Sequence, residues 1–138
     1  MLKTQKLVHE FMVKMGLPLP NESGPSIEGL RALKFDLLRK LVREEAQEFD
    51  DWLWELRDQL LREDVPDGVM QAWAKVLDAC ADIIVVVHNA TNAMGVDLER
   101  IFDAVHRTNM EKAGGPQDAD GKQLKPEGWE EPRVLARL

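Results

Sequence analysis

Leu77-Asp78-Ala79-Cys80-Ala81-Asp82-Ile83-Ile84-Val85-Val86-Val87 is the stretch whose reading decides the fold. Its last five residues are aliphatic and mostly β-branched, and by propensity alone they could form a strand. The surroundings argue for a helix. The flanks are rich in alanine, and more than twenty residues pass without a turn signal. The spacing therefore predicts one helix from about Val69 to Met94. A helix apolar on most of its sides is expected to be central and buried.

Working outward, Gly95 suits a helix C-terminus and Asp97 caps a following helix, Leu98 to about Lys112, which Gly114-Gly115-Pro116 closes. Upstream, Ser26 is a natural N-cap for one long helix with an apolar stripe of Leu30, Leu33, Leu37, Leu38, Leu41 and Val42. The stripe continues through Trp52, Leu53, Leu56 and Leu60 until Asp64-Val65-Pro66-Asp67-Gly68 interrupts it. A first helix carries Leu7, Val8, Phe11, Met12 and Met15 and ends at Gly16, before a polar loop from Leu17 to Pro25. Residues 114–138 show little periodicity and promise at most one short terminal turn. The expectation is an all-α, four-helix-bundle-like domain spanning 1–138, with a helical core of about 1–113 and an irregular tail.

A chain of 138 residues is one ordinary domain. Its net charge of −7 argues against a nucleic-acid polymer or an anionic membrane as partner. Ile83–Val87 is far too short to cross a bilayer, no signal peptide is evident, and the expected location is the cytoplasm. The single cysteine, Cys80, excludes an intrachain disulfide and is read as a small buried hydrophobe.

The chemistry sits in carboxylates. Glu44, Glu45 and Glu48 form an E-E-x-x-E cluster within about one turn of helix, and Asp78 and Asp82 lie one turn apart on the next long helix. Two neighbouring helices that each project acids make an all-oxygen site suited to Mg²⁺ or Mn²⁺, whereas zinc would want His or Cys. Taken alone, the glutamates fit solvated surface acids paired with Arg39, Lys40 and Arg43 better than a metal site. Asp82 is harder to read that way, because it abuts the aliphatic run.

These acids resemble those of the all-α nucleoside triphosphate pyrophosphohydrolases, the superfamily of MazG, the dimeric dUTPases and the phosphoribosyl-ATP pyrophosphohydrolases. Asn109-Met110-Glu111-Lys112 resembles that superfamily's N-x-x-K, and Asp120-Gly121-Lys122-Gln123-Leu124-Lys125-Pro126-Glu127-Gly128-Trp129 resembles its D-G-K-x-x-K-P-x-G-W loop. The resemblance covers roughly residues 30 to 130. It implies a homodimer with sites shared between subunits, and Mg²⁺-dependent cleavage of nucleoside triphosphates to monophosphate and pyrophosphate. It implies metal ligation by Glu45, Glu48 and Asp82, supplemented by Asp78, with Glu44 holding a second metal or the attacking water. Arg107, Asn109, Lys112, Lys122 and Lys125 are candidates for the phosphates; Trp52 and Asn89 are candidates for the base or sugar, although core packing suits Trp52 better and helix–helix hydrogen bonding suits Asn89 better. One departure stands out. The superfamily's E-x-x-D would place Glu at position 79, where this chain has Ala79. That residue keeps a non-catalytic nucleotide-binding or interaction role open, and the acids do not distinguish a nucleoside triphosphate from phosphoribosyl-ATP.

Overall fold

The computed structural model describes residues 1–20, 24–62 and 66–138. Among these the chain forms five α-helices: α1 Lys3–Met15, α2 Ile27–Arg31, α3 Phe35–Leu61, α4 Pro66–Ala93 and α5 Leu98–Met110. A 3₁₀ turn at Leu135–Arg137 is the short terminal element expected in the tail. The aliphatic run 83–87 is helical, so alanine-rich flanks and length prevailed over β propensity.

Two helix boundaries need correction. The long helix predicted from Ser26 is two helices. Ser26 does cap, its Oγ accepting from Gly29 N–H at 3.0 Å, but α2 ends after five residues, and Lys34 (ψ 73°) takes the backbone out of helical geometry before α3. Gly29 weakens the short helix, and the break lets Leu30 and Leu33 both turn partly inward. Pro66-Asp67-Gly68, read as part of a breaker, instead forms the first turn of α4, where a proline's missing N–H costs nothing. Asp64 and Val65 of that motif lie outside the described residues.

The longest helices, α3 and α4, form an antiparallel pair. On α3 the inward stripe is Leu38, Leu41, Glu45, Phe49, Trp52, Leu56 and Gln59; on α4 it is Ala72, Val76, Ala79, Ile83 and Val86. Counting back equally from Leu61 and Pro66, which flank the connection, puts Trp52 about level with Lys75, Glu48 with Ala79, and Glu45 with Asp82. α1 packs on the C-terminal half of α4 through a polar clasp. Gln5, with no exposed surface, donates to Asn92 Oδ1 (3.0 Å) and Val96 O (2.7 Å), and its Oε1 accepts from Leu98 N–H (3.1 Å) at the start of α5. One carboxamide thus ties three helices and supplies an acceptor at a helix N-terminus. Asn92 returns a bond to Gln5 O at 3.1 Å.

α4 is not buried all round. Met70, Trp73, Leu77 and Ile84 remain exposed beyond the reach of α1, and Cys80 is exposed as well, against the buried position expected for it. These residues and Val42, Leu53 and Leu60 of α3 are also exposed. At about 100° per residue they fall together on one flank of the hairpin.

His88, only 4% exposed, sets Nε2 against Thr4 Oγ1 at 2.8 Å, while its Nδ1 is buried without a partner among the described residues. Burial lowers its pKa from the usual 6.5, because the charged ring would lose its hydration. The unfolded chain therefore binds this proton more readily than the fold does. The stabilisation is complete above the ordinary histidine value and is lost as pH falls through the lowered one. The thermal midpoint should fall from pH 7.5 to 5 more steeply in the wild type than in His88→Gln, as followed by circular dichroism.

Candidate active site

Glu45 lies on the inward stripe of α3, half-buried between Leu41 and Phe49. Its carboxyl pKa is raised, first by burial and then by the negative charges of Asp82, Glu48 and Glu44. Acids from two helices therefore act on one another across the α3–α4 seam, as the level pairing requires. Glu48 and Asp82 are exposed at the rim of this seam. Glu44 faces outward and pairs with Lys40 Nζ at 3.7 Å, so it carries the surface role as well.

Asp78 is drawn elsewhere. Its side chain is 66% exposed and lies 3.9 Å from Lys75 Nζ, and it does not figure among the charges acting on Glu45. Ala79, 1% exposed, occupies the inward position about level with Glu48. The departure from E-x-x-D thus removes a carboxylate from the seam itself, and Asp78 stands on its flank. Among the described residues no three acids, histidines or cysteines are already drawn together as a cation cage. The donor chemistry nevertheless fits a hard dication. Glu45, Glu48 and Asp82 offer only oxygens, and the mutual repulsion that raises the Glu45 carboxyl is what a bound Mg²⁺ would relieve.

The basic residues form a second group, built on α5 and the tail. Trp129 is its anchor: Nε1 donates to Thr108 O at 2.8 Å, and Lys112 Nζ and Lys125 Nζ lie 5.0 and 4.5 Å from the ring centre. Lys112 also donates to Asn109 Oδ1 at 2.8 Å. N-x-x-K and the last part of the D-G-K loop are therefore one structural unit. Lys122 sits exposed in a small hairpin closed by the Gln117–Gln123 bridge. The hub of that hairpin is Asp118, whose Oδ1 accepts from Asp120 and Lys122 N–H at 3.0 and 2.9 Å. Sequence reasoning missed Asp118, although an Asp bonding its own backbone two residues on is a common turn device. Arg107 faces a different hollow, beside Glu111, Glu130 and Glu131.

The groove beside the glutamates is lined by Arg43, Glu44, Gln47, Glu48, Asp51 and Trp52, and by none of the cations of α5 or the tail. Trp52 is half-buried rather than sealed in the core. Asn89, on the other side of Asp82, has its carboxamide oxygen shut away from solvent without a hydrogen-bond partner among the described residues.

The fold is all-α, and acids from two antiparallel helices meet along one seam. A family model described as phosphoribosyl-ATP pyrophosphohydrolase matches residues 8–109, and the chain belongs to that family. A search of curated proteins found no match. The matched span contains both groups of acids and ends at Asn109, ahead of Lys112 and the D-G-K loop. Membership places the chain among hydrolases of nucleotide phosphoanhydrides.

The electrostatics of Glu45 yield a direct test. A carboxyl whose pKa is raised by folding weighs against the fold once pH exceeds the ordinary carboxylate range, about 4–5. At pH 8 without metal, Glu45→Gln should melt above the wild type in a thermal scan. Added Mg²⁺ should raise the wild-type midpoint and leave that of Glu45→Gln nearly unmoved.

Proposed function

We propose that the protein is a cytoplasmic, Mg²⁺-dependent pyrophosphohydrolase that cleaves a nucleoside triphosphate between its α and β phosphates, giving the monophosphate and pyrophosphate. Clearing unwanted nucleotides from the pool is the corresponding role, and Mn²⁺ is an alternative metal. The observation that carries this reading is the opposition of Glu45 and Asp82 across the α3–α4 seam, with Glu48 beside them, inside the span that the family model matches.

Glu45, Glu48 and Asp82 would hold the metal, and Asp78 would join them by releasing Lys75. Bound Mg²⁺ supplies neutralisation of phosphate charge and a water more acidic than bulk. Glu44 orients the attacking water and accepts its proton. Asn109, Lys112, Lys122 and Lys125, with Arg107, neutralise the departing pyrophosphate, which carries the charge that develops as the bond breaks.

Phosphoribosyl-ATP is the second reading, favoured by the description of the family. A specific feature weighs against it. The trough that continues from Glu48 carries Asp51 and Glu55, with Lys75 as its cation, and Lys75 is engaged by Asp78. A second phosphate, borne on the added ribose, would meet carboxylates there.

Pyrophosphate release from the four dNTPs, the four NTPs and phosphoribosyl-ATP, with Mg²⁺, Mn²⁺ or chelator, tests the proposal. Turnover of a triphosphate that needs metal and falls at least about 100-fold in Glu48→Gln is expected. Faster turnover of phosphoribosyl-ATP would establish the second reading. Absence of release from every compound would make the chain a binder rather than an enzyme, as the loss of a carboxylate at Ala79 would then explain.

The working form is proposed to be a homodimer that brings the partner's basic group to the acids. Trp73 (50% exposed), Leu77 (58%) and their neighbours make an apolar flank that a soluble monomer rarely leaves bare. The oxygen-rich trough runs along the other flank. Light scattering coupled to gel filtration should give twice the chain mass. Leu77→Glu should give the single mass with helicity kept and pyrophosphate release lost.

A further inference from the structure

The trough does not end at the glutamates. Asp51 and Trp52 line both the groove beside Glu48 and a second one that continues toward the α3–α4 connection, with a volume of about 720 Å³. Its walls include Trp52, Glu55 and Gln59 on α3 and Gly68, Ala72 and Lys75 on α4, the lysine being paired with Asp78 at 3.9 Å. The level pairing explains why there is space. Glu55 stands about level with Ala72 and Gln59 with Gly68, so the partner helix presents its smallest side chains opposite two long polar ones. Measured along α3 at 1.5 Å per residue, Trp52 is about 6 Å and Glu55 about 10 Å beyond Glu48. That is the span of a nucleoside from its 5′ phosphate to the far edge of a purine. The groove beyond Trp52 is therefore long enough to take the base of a nucleotide whose phosphates lie at Glu48.

What the groove offers a base is an aromatic wall and a carboxylate. Glu55 is half-buried, and Gln59 Nε2 donates to its Oε1 at 2.6 Å. A Glu–Gln pair one turn apart is ordinary on a helix surface. Here both residues lie on the side of α3 that faces α4, where the pairing holds the carboxylate in one orientation. Its second oxygen, and the side-chain Oε1 of Gln59, have no partner among the described residues. The free groups on α3 are thus acceptors. Guanine is the common base with two adjacent donors on one edge, N1–H and the N2 amine, and a carboxylate can take both. Adenine and cytosine place a ring acceptor beside their amine, which a carboxylate repels. Uracil and thymine set one N–H between two carbonyls.

We infer that the Trp52 groove is a guanine-reading subsite, with the Trp52 ring against the base and the Glu55 carboxylate on its N1–H and N2 edge. This rests on the pyrophosphohydrolase reading for the placement of the triphosphate at Glu45, Glu48 and Asp82. It adds a specificity that neither the acids nor the family description contains.

The test compares dGTP with dITP, which lacks only the N2 amine, in pyrophosphate release with Mg²⁺. Wild-type kcat/KM should favour dGTP by about 10-fold or more. In Glu55→Gln the two should become nearly equal, through loss on dGTP. Trp52→Ala should raise KM for both. Calorimetric binding of the α,β-imido analogues of the same two nucleotides, with Mg²⁺, gives a second readout that needs no turnover. Hydrolysis with equal kcat/KM for dGTP and dITP, or a ratio unchanged by Glu55→Gln, would overturn the subsite and leave the enzyme standing. If nothing is hydrolysed, the enzyme reading fails and analogue binding decides. A dGTP-type preference abolished by Glu55→Gln upholds the subsite, and equal or absent binding removes it.

Discussion

Only four residues separate the end of α3 from the start of α4, and so short a connection leaves the two longest helices one way to run. They must lie antiparallel, at levels counted from the turn. The arrangement of the carboxylates on these two helices follows from that register. It sets Glu45 opposite Asp82, and the charges of these residues act on one another as a result. It sets Glu48 opposite Ala79, where a further acid would have completed the seam. It also sets small residues against Glu55 and Gln59, opening the groove beyond Trp52. A shift of one residue on either helix would rotate these pairs by about 100° and scatter them.

The pair has two unlike flanks. One gathers carboxylates and amides into a trough, and the other presents Trp73, Leu77 and Val42 to solvent. α1 is held to the rest by bonds rather than by bulk. Gln5, His88 and Asn92 are buried polar groups on the α1–α4 contact, and Gln5 also reaches the start of α5. Buried amides demand partners of fixed geometry, which makes the clasp specific, and leaves groups unsatisfied if α1 shifts. α5 and the tail hold together separately, around Trp129.

Much of this was legible residue by residue. Periodicity and caps located α1, α4 and α5, with Gly16 and Gly95 at helix ends in left-handed geometry and Asp97 accepting from Glu99 N–H. The E-E-x-x-E spacing put Glu44, Glu45 and Glu48 on one arc. The break between α2 and α3 was not legible, since no proline marks it. Nor was the isolation of Asp78 beside Lys75, or the exposure of Cys80, because both depend on which side of α4 meets another helix. Asp118 was overlooked because it lies outside the motif that drew attention to its neighbours.

The amino-acid sequence by itself determined what is local: which segments are helical, where they are capped, and which acids share a turn. These follow from hydrogen bonding and side-chain spacing over a few residues, and no other segment is needed to specify them. Only the tertiary structure decided which acids of α3 meet which of α4, that Trp52 borders a groove rather than a sealed core, and that Lys112 and Lys125 gather on Trp129 apart from the acids of α3 and α4. Those outcomes depend on the register and rotation of packed helices, and they are set by contacts between residues far apart in the chain.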